Sequence, residues 1–147
     1  MNLYVITYMK QIIQAQSLSF VINAEKTNSG AEFTVLSKAT GKDFTFKINR
    51  SEFNGRFYTH VKVEQQYQEY RYLGTYFAGA IRRKRELVES ASAKAIAWIL
   101  KKVEEQKFEL LNEKVEIMHT GSCLRCGRTL TDHESIEIGL GPICRSL

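Results

Sequence analysis

Cys123, Cys126 and Cys144 are the chain's three cysteines, and they form its strongest chemical constellation. Cys123-Leu124-Arg125-Cys126 is a C-x-x-C pair, in which one tight turn aims two thiolates at a single metal ion. Gly127, directly after it, suits a knuckle that needs a positive φ at that point. Cys144 brings a third thiolate from a separate loop, and one further donor completes a tetrahedral zinc shell. Two histidines flank the pair. His119 lies at the end of the run Val115-Glu116-Ile117-Met118 and would close strand and knuckle like a clasp. His133 sits in a predicted short helix that would have to lean its first turn over the knuckle. Spacing does not separate the two; His119 is preferred, with His133 as the alternative and Glu134 or water as further options. A closed four-donor shell leaves no position for substrate, so the expected Zn2+ is structural: it folds an end of the chain too small to fold alone. A thioredoxin-like redox pair would sit at a strand-to-helix turn in βαβ context, which the sequence lacks.

The totals bound what surrounds this site. A chain of 147 residues with 44% hydrophobic and 11% aromatic residues fills a real core and makes one ordinary domain or a domain with a satellite. An odd cysteine count confined to residues 123–144 argues against a secreted disulfide framework and for reduced thiols. The opening Met-Asn-Leu-Tyr-Val-Ile-Thr-Tyr-Met-Lys lacks a basic n-region and a small-residue cleavage site, and no apolar run approaches the roughly 20 residues of a membrane span. The expected compartment is the cytoplasm, with no membrane partner. A net charge of +5 favours acidic partners without naming one.

Elements that would position the site follow from periodicity. Residues 18–78 read as sheet: Leu18–Asn23, Glu32–Leu36, Asp43–Ile48, Phe57–Val63 and Tyr70–Phe77 are rich in β-branched and aromatic residues with stretches of period two. Thr40-Gly41-Lys42 and Asn54-Gly55 mark the turns. Residues 90–111 contain neither Gly nor Pro and repeat Ala91, Ala95, Trp98, Ile99 and Val103 at helical spacing, with Ile96 and Leu100 widening the stripe, so one long helix should cover the sheet with Trp98 as a core anchor. Thr131-Asp132-His133-Glu134 matches a capping box with Thr131 as N-cap, opening a two-turn helix that stops at Gly139. Gly141-Pro142 then turns the chain to present Cys144. The predicted fold is α+β, an antiparallel sheet of four or five strands packed by one long helix. Domain one spans residues 1–114 and the zinc-binding module residues 115–147.

The stretch from Gly121 to Cys144 resembles the cysteine-rich signature of the family DUF6011, broadly C-x-x-C-G-R-x-L-T-x-x-x-S-I-x-x-G-x-G-P-x-C. Cys123, Cys126, Gly127, Arg128, Leu130, Thr131, Ser135, Ile136, Gly139, Gly141, Pro142 and Cys144 all match it. The resemblance implies a zinc-binding module and an origin in a bacteriophage or mobile element. It also strengthens His119 as fourth ligand, since members often carry a histidine shortly before the first cysteine. His133 stands where relatives often have proline. No activity follows from the family.

Binding residues outside the module are fewer. Arg82-Arg83-Lys84-Arg85 is the one charge run, and with Lys94, Lys101 and Lys102 it could contact phosphates. Tyr70 and Tyr72, in a tyrosine-rich segment beside it, could stack bases or anchor a protein interface. Arg125 and Arg145 add charge near the cysteines, while Arg128 suits bonds to carbonyls of its own module. No paired carboxylates, serine elbow, Walker loop or dinucleotide fingerprint is present, and His60 on a strand reads as structural, so no enzyme is expected. Two roles remain. The first is a phage-type inhibitor docking on a host protein or nucleoprotein complex, such as a nucleic-acid-processing defence machine of the CRISPR kind. The alternative is a nucleic-acid-binding accessory protein for phage replication or transcription.

Overall fold

The computed structural model describes residues 11–23 and 30–146. The opening segment Met1–Lys10, read above for a targeting signal, lies outside the described residues. The architecture is α+β, built on an eight-stranded antiparallel sheet rather than four or five strands. The strands are β1 (Gln11–Ile13), β2 (Ala31–Ser37), β3 (Asp43–Phe53), β4 (Arg56–Gln66), β5 (Glu69–Phe77), β6 (Ala80–Arg83), β7 (Glu86–Leu87) and β8 (Val115–His119), in the spatial order β1-β8-β2-β3-β4-β5-β6-β7. The four anticipated runs from Glu32 to Phe77 became β2 to β5. The extra strands are short or lie at the margins of the meander, where a few residues carry little periodicity.

Alternation divides the sheet into two faces. Phe33, Phe46, Ile48, Val61, Leu73 and Ile81 are buried on one of them. The other carries Lys47 opposite Lys62, Asn49 opposite His60, Lys62 opposite Tyr72 and Thr75 opposite Arg82. Along this second face Ile12, Lys62, Tyr72, Phe77 and Arg82 are exposed.

Helices cover the first face. Leu18–Asn23 is not a strand: Ala15–Leu18 forms a 3-10 turn and Ser19–Asn23 the helix α1. Its fully buried residues Ala15, Leu18 and Val21 recur every third position, a spacing that helical geometry puts on one side. The expected long helix is two. Helix α2 runs Ala91–Glu104, capped by the Ser90 hydroxyl accepting from the Ala93 N–H, and α3 runs Phe108–Lys114. Gln106 breaks them apart with φ +57; its N–H returns to the Val103 carbonyl and the Lys107 N–H to the Lys102 carbonyl, a Schellman motif. A glutamine there gives no breaker signal.

The buried stripe of α2 is Ser92, Ala93, Ile96, Ala97, Ile99, Leu100 and Val103, rotated from the one anticipated. Trp98 is therefore no core anchor: it is 38% exposed on the flank of the helix. Ile96 and Leu100, anticipated as widening the stripe, are fully buried and pack with Phe33, Phe46 and Leu111 in one cluster.

Candidate metal centre

Strand β8 connects the sheet to the cysteines. It lies between β1 and β2, paired to both, so the segment entering the cysteine module is also an inner strand. Beyond it Cys123 to Arg128 forms the knuckle: the Gly127 N–H donates to the Cys123 carbonyl at 2.9 Å, and the Cys123 N–H to the Arg128 carbonyl at 2.8 Å. Gly127 has φ +79, the left-handed value the sequence reading required. Helix α4 (His133–Ile138) and helix α5 (Pro142–Ser146) complete the module.

The N-cap of α4 is Asp132, not Thr131, since its carboxylate accepts the Ser135 N–H at 3.0 Å. An ionised cap also suits the helix N-terminus better than a hydroxyl. The helix ends at Gly139 with φ +85, where a Cβ would meet Leu124, His119 and Ile13 side chains at 3.2–3.4 Å. Pro142 occupies the first turn of α5, where its missing N–H costs nothing, and Cys144 follows on the same helix.

The sulfurs of Cys123, Cys126 and Cys144 all lie within 4.8 Å of one another. Their surroundings suit thiolate ligation. The Cys123 Sγ accepts the N–H groups of Arg125 and Gly141, each at 3.4 Å. Burial acts to raise this thiol, but the N–H donors of Cys126, Gly141 and Arg125 outweigh it and hold it below the ordinary cysteine range. Cys144 goes the other way: burial, with the Cys126 and Cys123 sulfurs beside it, pushes its thiol up to about 12. Three thiolates this close repel one another, and a bound cation is what lets them ionise together. Three soft donors therefore fit a metal ion of thiolate preference.

Neither histidine joins them. His119 is fully buried, and both ring nitrogens are taken: Nε2 bonds the Ile136 carbonyl and Nδ1 accepts the Gly121 N–H at 2.9 Å. It ties the end of β8 to α4, and burial lowers its pKa while the Ile136 carbonyl opposes that shift. His133 has a side chain 96% exposed, with Nε2 3.8 Å from Glu137 on the next turn of α4. Glu134 is committed to Arg145 at 3.3 Å.

Two arginines lock the module. Arg125 donates to the Cys144 carbonyl at 3.3 Å. Arg145 donates to the Ser135 hydroxyl at 2.7 Å and the Leu140 carbonyl at 3.1 Å, and meets the Glu134 and Asp132 carboxylates. Arg145 was anticipated only as added charge; its buried partners lie on α4 and in the bend that follows it, and leave no trace in spacing. Ser17 Oγ donates to the Ile138 carbonyl at 2.9 Å, docking α4 on the N-terminal turn.

Of the remaining predicted residues, the charge run and the two tyrosines lie on the open sheet face and its edge, whereas Lys94, Lys101 and Lys102 lie on α2. Arg82, Arg83, Lys84 and Arg85 are all exposed on the β6–β7 hairpin, whose two loop residues Lys84 and Arg85 have φ +52 and +70. Tyr72 is exposed, and its hydroxyl bonds His60 Nδ1 and Thr75 Oγ1, each at 3.2 Å. His60 Nε2 completes the array with Ser51 Oγ at 2.7 Å. Tyr70 is half-buried with the Lys47 ammonium 5.4 Å from its ring centre, so its face is already occupied. Tyr72 and Arg82 share a face because β5 and β6 pair Thr75 with Arg82.

The C-terminal fold and its three thiols define a cysteine-knuckle module. Residues 116–147 match the model of DUF6011, a family of unknown function, which is the family the knuckle motif resembles. Neither a curated protein nor a solved structure matches the chain. No helix among the described residues is long and apolar enough to cross a membrane.

Proposed function

We propose that the protein acts by binding rather than catalysis, with a structural Zn2+ stapling its C-terminal module and an open sheet face as its working surface. Zinc is the metal because three thiolates at a C-x-x-C knuckle and a helix suit its soft, tetrahedral preference. The three cysteines would hold the ion and leave its fourth position to a donor outside this cluster; bound there, it would cross-link the knuckle to α5.

The observation that carries the role is the co-location of Tyr72 with Lys62 and Arg82 on one solvent-exposed sheet face, edged by Arg83, Lys84 and Arg85. Exposed aromatic faces among cations are what single-stranded nucleic acid needs: rings to stack bases and charges to track phosphates. The conclusion is a nucleic-acid-binding accessory protein of phage or mobile-element type, working in the cytoplasm of its host. Retention of a single-stranded oligonucleotide across a salt series tests it. Affinity should fall steeply with salt, drop with Arg82→Ala, Arg83→Ala and Arg85→Ala, and drop separately with Tyr72→Ala. Salt-independent binding, or none, rejects it.

A second reading is favoured by Trp98, a large apolar side chain 38% exposed on the opposite side of the molecule. In it the protein is an inhibitor that docks on a host protein or nucleoprotein complex, a defence machine of the CRISPR kind included. Tryptophan is among the commonest anchors of protein interfaces. One stoichiometric host protein retained from lysate at high salt would support this reading and replace the first.

A further inference from the structure

Two grooves run along α2, one on each side of Trp98. The larger, with a volume of about 580 Å3, lies between the helix and the β2–β3–β8 end of the sheet. Its wall is apolar: Val35, Phe44, Ala95, Ile99 and Val115 line it together with Trp98. The smaller, about 290 Å3, has Ile81, Leu87, Val88, Ala97 and Trp98 in its walls. Leu87 is 51% exposed there. The two share Lys94 and Trp98 in their walls, and from Ala91 to Lys101 they follow about 15 Å of helix axis, close to three turns.

The charges at the rim are mostly positive. Lys42, Lys94 and Lys114 border the larger groove, and none of its lining residues is acidic. Lys94 and Lys101 border the smaller one, where Glu89 is the single carboxylate. Lys102 stands 5.9 Å from the indole centre, paired with Glu105 at 3.1 Å. Lys114 has only a weak partner, Glu113 at 3.9 Å, and more than half of its side chain is exposed. An apolar trough with an exposed tryptophan at its middle and lysines along both sides is complementary to a segment that is apolar on one face and acidic on the other. Nucleic acid would satisfy the lysines but offers no aliphatic side chains to the apolar wall.

We propose that this trough is a docking site for an acidic amphipathic helix of a partner protein, its aliphatic side chains seated beside Trp98 and its carboxylates facing Lys42, Lys94 and Lys114. The site deepens the protein-docking reading above and rests on it. It lies on the helical side of the molecule, away from the open sheet face, so both surfaces can be occupied at once. Helix-in-groove recognition of this kind draws affinity from anchor side chains, and specificity from the rim charges.

Trp98 is the chain's single tryptophan, so its emission reports this trough alone. The probe is a synthetic amphipathic peptide with a leucine face and a glutamate face; a second peptide carries lysine in place of each glutamate. The glutamate peptide should shift Trp98 emission to the blue and saturate, and the lysine peptide should not. In the full-length metal-loaded protein, Lys42→Glu with Lys94→Glu should weaken the glutamate peptide at least tenfold, while Lys62→Glu on the open sheet face leaves it unchanged. Calorimetry on Trp98→Ala should register a loss of the same order. Far-ultraviolet circular dichroism confirms that these surface variants remain folded. Equal binding of the two peptides, no saturable shift, or unchanged affinity in the double lysine variant would overturn the proposal. So would displacement of the peptide by a single-stranded oligonucleotide. If the peptide fails while a host protein is still captured at high salt, the trough is wrong and the docking reading stands; failure of both sinks both.

Discussion

The sheet and the cysteine module are held by different physics, although β8 belongs to both. In the sheet, alternate residues such as Phe33, Phe46, Ile48 and Val61 are fully buried, and each large side chain contributes on the order of 2 kcal/mol by leaving water. The module buries Leu124, Leu130 and Leu140 around short helices. Its other bonds are polar: two N–H groups on the Cys123 sulfur, Arg145 across Ser135 and Leu140, and the His119 ring between Gly121 and Ile136. A region with so little apolar surface is one that metal ligation by its three cysteines would stabilise. The difference teaches that the two halves should fail under different insults, with β8 as the seam.

Chelation should separate them most sharply. Metal removal from the zinc-loaded protein withdraws a stabilisation on the order of 10 kcal/mol for sites of this class. Amide exchange should then become fast through the knuckle, α4 and α5, while β3, β4 and β5 stay protected. Cys144→Ser should reproduce that pattern. Uniform loss of protection across the sheet would show that the seam at β8 couples the halves into one unit. The reciprocal insult is Phe46→Ala, which should cost about 3–5 kcal/mol and lower the melting temperature of the sheet. Metal affinity should change far less.

The seam itself can be sharpened through His119. Burial holds its imidazole below the ordinary value, so the unfolded chain binds the proton more readily than the folded one. Stability from this group is therefore complete above about pH 6.5, the unfolded value, and is lost as pH falls below it toward the folded value. His119→Gln keeps a donor for the Ile136 carbonyl but does not titrate. The difference between wild-type and variant melting temperatures should narrow or reverse below pH 6.5. A difference independent of pH would remove the buried neutral imidazole from the account.

These contrasts also explain what could be read from the chain. Strands β2 to β5 were legible because their apolar residues alternate over long runs, and the Asn54-Gly55 turn has the positive φ values its sequence advertises. The thiol cluster was legible because C-x-x-C geometry is local. The missed features depend on tertiary context. Ala15, Leu18 and Val21 belong to a run whose composition favours a strand, yet their spacing of three made a helical turn pack better against α2. The end of α2 falls at Gln106, where no sequence signal marks a left-handed residue. Trp98 was assigned to the core on size and phase, and a rotation of the stripe by one residue put it outside. His119 has the residue type and position of a ligand. Its use as a bridge between Gly121 and Ile136 follows from where α4 docks.

The smallest expected effect concerns the β6–β7 hairpin, where stability and charge are set against each other. Its two-residue loop places Lys84 and Arg85 at φ +52 and +70, a conformation that Asn-Gly adopts far more easily. The Asn54-Gly55 loop between β3 and β4 meets the same backbone demand with those residues. Lys84→Asn with Arg85→Gly should therefore raise thermal stability by about 1 kcal/mol, while removing two exposed cations from the edge of the open sheet face. If the hairpin is strained for the sake of its charges, the variant should gain stability and lose salt-sensitive oligonucleotide retention together. A gain in stability with retention intact would leave the turn as an ordinary tolerated strain. The nucleic-acid reading would then rest on Tyr72, Lys62 and Arg82 alone.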